Sequence, residues 1–115
     1  MSSKRGGSVR KILGNAAQQI LARGGRCCAY CGRGTLESGG KLHLDHVVPL
    51  HLGGDYSPAN LVPACGRCNL AKGSLPFGAW VAKASGLGVH VDAFAVLSQL
   101  RAPLPSFADS MSAST

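Results

Sequence analysis

Two Cys-x-x-Cys pairs constrain the fold of this chain more than any other feature of its sequence. Cys28 and Cys31 form the first pair, Cys65 and Cys68 form the second, and residues 32–64 separate them. A tight turn lets both sulfurs of a pair reach one ion, and Gly32 tolerates the positive φ that such a turn needs. The spacing predicts a closed Zn²⁺ site with four thiolate ligands. Four buried free thiols are the weaker interpretation, because two spaced pairs rarely arise by accident.

The predicted zinc site is structural. Four thiolates saturate a tetrahedral ion and leave no position for a water or a substrate. Zinc binding at such a site contributes on the order of 10 kcal/mol to the folding of a small domain. Cys27 is not a predicted ligand, because on a strand it faces away from Cys28; we expect it to be a small core residue. Five cysteines in a chain with no recognisable secretory signal favour metal over disulfides, and we expect a cytoplasmic protein.

The length of 115 residues predicts a single domain. We expect a disordered basic arm over 1–7 and a disordered tail over 102–115, both poor in large apolar residues. The folded domain then covers 8–101. It divides into an N-terminal helix (8–23), a motif core (26–73) and C-terminal helices (76–101). No run of residues is apolar and long enough to predict a membrane-spanning helix.

Local patterns predict the elements of this domain. The first helix has apolar residues at i, i+4 spacing and ends at Gly24. The segment 26–34 reads as a short strand and turn, and 41–48 alternates as a strand does. The segment 59–64 fits a second strand or a helical turn, and a short helix follows from the second cysteine pair to about Gly73. Three aromatic residues at helical spacing are predicted to belong to the core: Phe77, Trp80 and Phe94.

An acid, a histidine and two asparagines occur in order between the cysteine pairs and just after them. Phosphodiester cleavage needs a base for water, a cation for the developing charge and groups that hold the geometry. His46 can accept a proton at neutral pH, and Asp45 and Asn69 offer the oxygen ligands that Mg²⁺ or Mn²⁺ prefers. The amide of Asn60 can fix the loop that carries His46. Lys72, three residues after Asn69 on the predicted helix, could contact phosphate.

The adjacency of Asp45 and His46 creates a geometric difficulty. Neighbouring residues on a strand point to opposite faces, so both can serve one centre only if the strand ends or bends there. The alternative is that the metal and the base approach the phosphate from different sides. Pro49 makes an end of the strand near His46 plausible.

Taken together, these landmarks resemble the HNH endonuclease family over residues 26–73. They are the two cysteine pairs, the run Leu44-Asp45-His46-Val47-Val48-Pro49-Leu50, Gly53-Gly54, Asn60-Leu61 and Cys68-Asn69-x-x-Lys72. The resemblance implies an α+β fold: a small ββα-metal (His-Me finger) core stapled by a four-cysteine zinc site, with flanking helices. It implies that His46 is the general base, that Asp45 and Asn69 hold a divalent ion, and that Asn60 is the middle asparagine of the motif.

The resemblance has one departure. The family often has histidine where this chain has Asn69. An amide oxygen is a harder ligand than imidazole, which favours Mg²⁺ over zinc or nickel. The same asparagine occurs in phage Holliday-junction resolvases and in the HNH domain of RNA-guided nucleases, so the departure bears on the metal more than on activity.

The charge of the chain predicts a nucleic-acid partner. The formal net charge is +7, and six of the 12 Lys and Arg residues lie within the first 26 residues, which contain no acid. A basic segment of this kind favours a polyanion, although a solubilising surface would also produce it. Candidate DNA contacts are Lys72, Arg67, Arg33 and His43, although a solvated strand histidine is the favoured interpretation of His43. His51, in a predicted loop, is as readily a surface residue.

These observations predict a metal-dependent endodeoxyribonuclease with structural Zn²⁺ and catalytic Mg²⁺ or Mn²⁺, as a monomer or a dimer. Nicking and double-strand cleavage stay open. Two alternatives stay open as well: a zinc-knuckle DNA-binding module without catalysis, and a resolvase for branched DNA. The resemblance extends to small HNH proteins encoded beside phage DNA-packaging genes, which implies a terminase as a further expected partner.

Overall fold

The structure is a computed structural model that describes residues 13–35 and 40–112. Over these residues it contains two strands, two short 3₁₀ helices and five α-helices. In chain order they are α1 (Asn15–Arg23), β1 (Leu42–His46), η1 (Leu50–Leu52), η2 (Pro58–Asn60), β2 (Leu61–Cys65), α2 (Gly66–Lys72), α3 (Phe77–Gly86), α4 (Ala93–Arg101) and α5 (Phe107–Ser112). The predicted α+β class is confirmed.

A β-hairpin followed by a helix forms the centre of the molecule. β1 and β2 are antiparallel, with Leu42 opposite Cys65 and His46 opposite Leu61. β2 is buried along its whole length and continues directly into α2. The Cys65 sulfur accepts a hydrogen bond from the Cys68 N–H at 3.4 Å and so caps the first turn of α2. The second cysteine pair therefore spans the junction between strand and helix.

The core lies between the hairpin and the helices that flank it. Ile20 of α1, Leu61 and Val62 of β2 and Trp80 of α3 are almost fully buried. The ring of Trp80 meets that of Tyr30 edge to face, with 5.5 Å between their centroids. The core position predicted for Trp80 is confirmed, and Phe77 packs partly buried against the same cluster.

The core position predicted for Phe94 is wrong, because its side chain is 81% exposed. α4 instead turns Val96 toward the core, and Val96 is 1% exposed. Residues two apart on a helix lie about 200° apart around its axis, so burial of Val96 places Phe94 on the outer face. Helical spacing predicts that α4 has an apolar face, but which face is buried depends on how the helix packs against the rest of the fold.

The predicted boundaries of the elements agree only in part with the observed ones. The end of α1 before Gly24 is confirmed, whereas the predicted helix start at Ser8 lies outside the described residues, as does the basic arm over 1–7. The predicted strand over 26–34 is reduced to a single bridge between Cys27 and Gly34. The segment 59–64 was predicted to be a second strand or a helical turn, and it contains both: the end of the 3₁₀ helix η2 and most of the strand β2.

The segment 102–115, predicted to be a disordered tail, contains α5 among the residues described up to 112. α5 packs against α1, and Ser110 is fully buried. The Gln19 amide donates to the Pro105 carbonyl at 2.9 Å, and the Arg26 guanidinium donates to the Ser110 carbonyl. Polar side chains from α1 and the turn after it thus hold a segment whose composition is poor in large apolar residues.

None of the helices in the described ranges is both long and apolar enough to cross a membrane.

Candidate functional site

The four predicted zinc ligands meet at one point. The sulfur atoms of Cys28, Cys31, Cys65 and Cys68 all lie within 4.8 Å of one another, and those of Cys31 and Cys65 are 3.7 Å apart. Tetrahedral coordination with Zn–S bonds of about 2.3 Å places sulfurs about 3.8 Å apart. The spacing therefore fits a single Zn²⁺ ion. Cys27 lies outside this cluster; it is half-buried, and its thiol donates to the Gly25 carbonyl at 3.3 Å.

Both cysteine pairs have the same local geometry. The Cys31 N–H donates to the Cys28 sulfur at 3.5 Å, as the Cys68 N–H does to the Cys65 sulfur. Burial raises the pKa of the Cys28 and Cys68 thiols, and the neighbouring sulfurs raise it further. A divalent cation would offset both effects, because it stabilises the thiolate form of each ligand. The donor set of four sulfurs fits zinc.

Asp45 lies inside the hairpin and is 6% exposed. Its Oδ2 atom accepts a hydrogen bond from the Tyr30 hydroxyl at 2.6 Å and lies 3.2 Å from the Lys72 ammonium. Burial raises the pKa of Asp45, while Lys72 and Tyr30 act in the opposite direction. Among the described residues, none donates a hydrogen bond to Oδ1 of this carboxylate. One carboxylate oxygen is thus held in place and the other is available to a ligand.

Lys72 does not lie where a phosphate contact requires it. It is 1% exposed, and its ammonium also donates to the His46 carbonyl at 2.9 Å. The sequence placed Lys72 on one face with Asn69, but packing of α2 on β1 turns its side chain into the protein. Lys72 is an internal cation that joins α2 to the end of β1, and the prediction that it contacts DNA is corrected accordingly.

His46 is the last residue of β1 and is half-buried. Its ring meets that of Tyr56 edge to face, with 4.7 Å between the centroids. Burial lowers the pKa of His46, the Lys72 ammonium lowers it further, and Asp55 opposes them. Burial and Lys72 thus favour the neutral form of the imidazole. Its Nε2 atom is buried and has no hydrogen-bond partner among the described residues.

The strand predicted over 41–48 is shorter in the structure and ends at His46, which meets one of the two conditions under which Asp45 and His46 could serve one centre. Immediately after His46, the Val47 N–H donates to the Asn60 carbonyl at 2.9 Å, outside the strand ladder. Asp45 faces inward to Tyr30, while His46 packs on Tyr56. The two side chains leave the backbone in different directions at the point where the strand stops.

Asn60 holds the loop that follows His46. Its Oδ1 atom accepts from the Val48 N–H at 2.8 Å, and its Nδ2 group donates to the carbonyls of Val48 and Asp55, both at 3.0 Å. The loop passes so close to Gly54 that a Cβ there would lie 1.7 Å from the Val48 carbonyl oxygen. Because all three side-chain bonds go to backbone, Asn60 is a positioning residue, as its predicted role in fixing the loop implies.

Arg23 also holds this loop in place through hydrogen bonds to its backbone, a role that the sequence did not indicate. Its guanidinium donates to the carbonyls of Pro58 at 2.8 Å, Leu61 at 3.0 Å and Ala102 at 3.3 Å. Two of these carbonyls flank Asn60 along the chain. Arg23 and Arg26 were counted among the basic residues that favour a polyanion, yet both serve internal contacts here.

Comparison with known proteins agrees with this geometry. The HNH endonuclease family model matches residues 28–75. Residues 28–75 are an HNH endonuclease domain. A stretch of 65 residues is 42% identical to the CRISPR-associated endonuclease Cas9 of Corynebacterium diphtheriae, covering 56% of this chain and 6% of that protein. The chain thus aligns with a small part of a much longer relative. No solved structure matches.

Within the HNH domain, Asn69 lies on α2 one helical turn before Lys72 and is half-buried. Residues three apart on a helix lie on one face, about 5–6 Å apart at their Cβ atoms. The Lys72 ammonium reaches Asp45, so Asn69 is on the side of α2 that faces β1. This placement is compatible with the predicted sharing of one ion by Asp45 and Asn69.

The other predicted DNA contacts of the HNH domain lie at or near its surface. Arg33 and Arg67 are exposed, as is His51 on η1. His43 is half-buried on β1, and its Nε2 atom lies 3.8 Å from where a Cβ on Gly66 would be. Contact of these residues with DNA stays a prediction.

We expect Asn60→Ala to lower the free energy of unfolding by roughly 2–4 kcal/mol. The substitution removes three hydrogen bonds and leaves two carbonyls and one N–H of the loop without that partner, and each bond contributes about 1 kcal/mol. Chemical denaturation of the zinc-loaded protein measures the change. Ser57→Ala is the matched control, because it removes one hydrogen bond in the same loop, the one that the Ser57 hydroxyl accepts from the Ala59 N–H. A loss no larger than that of the control would contradict the positioning role.

Proposed function

We propose that this chain is a metal-dependent endonuclease that hydrolyses DNA phosphodiester bonds. The observation that carries the proposal is the state of His46. Burial and Lys72 lower the pKa of its imidazole and so favour the neutral form, and Nε2 has no hydrogen-bond partner within the described part of the chain. It lies next in sequence to a carboxylate with one available oxygen. A general base beside a hard oxygen ligand is what phosphodiester hydrolysis requires.

In this proposal the imidazole of His46 accepts a proton from the attacking water. The water oxygen bonds to phosphorus as the bond from phosphorus to the leaving 3′-oxygen breaks. Asn60 and Arg23 hold the backbone on either side of the loop, so that the imidazole keeps its place during the reaction. The Tyr56 ring restricts the imidazole from one side.

The second part of the proposal is a divalent ion on Asp45 and Asn69. Carboxylate and amide oxygens are the donors that Mg²⁺ and Mn²⁺ prefer, and Oδ1 of Asp45 is available for this purpose. When bound, such an ion neutralises charge on the phosphate and on the leaving oxygen. The cysteine cluster has soft ligands and no open position, so we assign it structural Zn²⁺ only.

One observation favours the alternative of a DNA-binding module without catalysis. The Lys72 ammonium already lies 3.2 Å from the Asp45 carboxylate and neutralises part of its charge. A carboxylate paired in this way attracts a second cation less strongly. The alternative would retain the zinc cluster and the exposed arginines but not hydrolysis.

Cleavage of supercoiled plasmid distinguishes the two functions. With Mg²⁺ or Mn²⁺ added to the zinc-loaded protein, we expect relaxed circles to accumulate, and we expect none when the added ion is omitted. DNA binding in a mobility-shift assay without metal-dependent nicking would support the alternative. A preference for four-way junctions over linear duplex would instead indicate a resolvase. A role in phage packaging and a terminase partner stay predictions of the resemblance alone.

A further inference from the structure

We propose that Tyr30 is a positioning residue for the catalytic metal site, acting through its hydrogen bond to Asp45. The inference rests on the proposed function, because it assigns Asp45 to a divalent ion. Tyr30 lies between Cys28 and Cys31, within the turn of the first cysteine pair. Tyr30 therefore lies in the loop that carries two of the zinc ligands, and its hydroxyl contacts Asp45.

The turn holds the Tyr30 hydroxyl in a fixed place. The Cys28 N–H donates to the Arg33 carbonyl at 2.8 Å, and the Gly32 N–H donates to the Cys28 carbonyl at 2.9 Å. The Ala29 N–H donates to the Pro63 carbonyl at 2.8 Å, which ties the turn to β2.

The ring of Tyr30 is also fixed. The residue is 2% exposed, and its ring meets that of Trp80 at an interplanar angle of 73°. With the backbone and the ring both held, the hydroxyl has little freedom to move away from Asp45. The four cysteines thus help to set the position of a donor to a residue outside their own cluster.

Because the Tyr30 hydroxyl donates to Oδ2 of Asp45, Oδ1 is the carboxylate oxygen that can bind a metal ion. Tyr30 and Lys72 both contact Oδ2, at 2.6 and 3.2 Å, and neither contact involves Oδ1. Two donors on one oxygen restrict rotation of the carboxylate and keep Oδ1 directed away from them. Without the hydroxyl, Lys72 alone would hold Oδ2, and the carboxylate could turn toward the ammonium. Binding of an ion would then have to fix the orientation of the Asp45 carboxylate, and the affinity for the ion would fall.

The test is the affinity of zinc-loaded Tyr30→Phe for Mn²⁺, measured by titration followed with electron paramagnetic resonance. Loss of one hydrogen bond of ordinary strength should weaken Mn²⁺ binding roughly fivefold to tenfold. Zinc content should stay at that of the wild type, because no thiolate is changed. Cys27→Ser, in the same turn but outside the cluster, should bind Mn²⁺ as the wild type does. Equal Mn²⁺ affinities for Tyr30→Phe and the wild type would overturn the proposal.

A second measurement leaves Tyr30 in place and decides the matter if Tyr30→Phe does not fold. The chain has two tyrosines, so ¹³Cζ-labelled tyrosine gives two signals, and Tyr56→Phe assigns them. Adding Mg²⁺ to the zinc-loaded protein should shift the Tyr30 signal, because the ion draws charge from the oxygen to which Tyr30 donates. The shift should be absent in Asp45→Asn. A Tyr30 signal that Mg²⁺ leaves unmoved would refute the proposal.

The outcomes separate this inference from the proposed function. If the wild type nicks plasmid and Tyr30→Phe binds Mn²⁺ normally, the inference fails and the function stands. If Tyr30→Phe weakens Mn²⁺ binding but the wild type cleaves no DNA, the inference stands and the function fails. A wild type that neither binds Mn²⁺ nor cleaves DNA overturns both.

Discussion

Replacing His46 with alanine should lower the rate of plasmid cleavage by roughly 10²–10⁴-fold, the usual contribution of a positioned general base. The affinity for DNA should change little, because a half-buried neutral imidazole offers no charge to phosphate. The loss should therefore appear in the rate at saturating DNA rather than in the concentration of enzyme needed for binding. Single-turnover cleavage with Mg²⁺, combined with a mobility-shift assay, measures the two quantities separately.

The control for this substitution is His90→Ala. His90 is exposed, lies between α3 and α4, and has no assigned role. Its cleavage rate should equal that of the wild type. Added imidazole should restore part of the activity of His46→Ala, which loss of structure alone would not permit. Undiminished cleavage by His46→Ala would remove His46 from the mechanism.

Removal of the zinc ligand Cys68 should have the largest effect on stability. The four sulfurs lie within 4.8 Å of one another, and the cluster joins the first turn of α2 to the loop that carries Tyr30. Binding of Zn²⁺ at such sites contributes on the order of 10 kcal/mol, comparable to the entire stability of a small domain. Cys68→Ser should therefore be largely unfolded at about 25 °C, as judged by circular dichroism, and should retain little zinc.

Cys27→Ser is the control for Cys68→Ser, because it changes the same kind of side chain next to the cluster and no ligand. It should bind one equivalent of zinc and melt near the temperature of the wild type. A chelator strong enough to remove zinc should unfold the wild type and Cys27→Ser alike. A zinc-free wild type with an unchanged melting temperature would show that the cluster does not stabilise the fold.

Much of the architecture was predictable because its signals are local. A glycine after an apolar helical stripe ends α1, alternation marks β1, and the second cysteine pair begins α2. The spacing of the four cysteines limited the fold further, since two turns must bring their sulfurs to one ion. Each of these features depends on a few neighbouring residues or on a ligand set with fixed geometry.

The predictions that failed depended on which surface another element covers. The spacing of Lys72 and Asn69 gave a shared helix face, but only packing of α2 on β1 showed that Lys72 is buried. Phe94 was assigned to the core from its spacing, yet the fold covers the opposite face of α4. The tail was expected to be disordered from its composition alone, since the side chains that contact it, Gln19 and Arg26, lie 86 and 84 residues before the carbonyls to which they donate.

The chemical groups of this protein follow from its sequence: four thiolates for zinc, and an acid, a histidine and two asparagines in a fixed order. The contacts of each group depend on the fold. Tyr30 donates to Asp45 across 15 residues, Lys72 reaches His46 across 26, and Arg23 holds the loop of Asn60 across 35 and 38. Such contacts leave no local pattern, because side chains that meet only after folding place no periodic constraint on the residues around them.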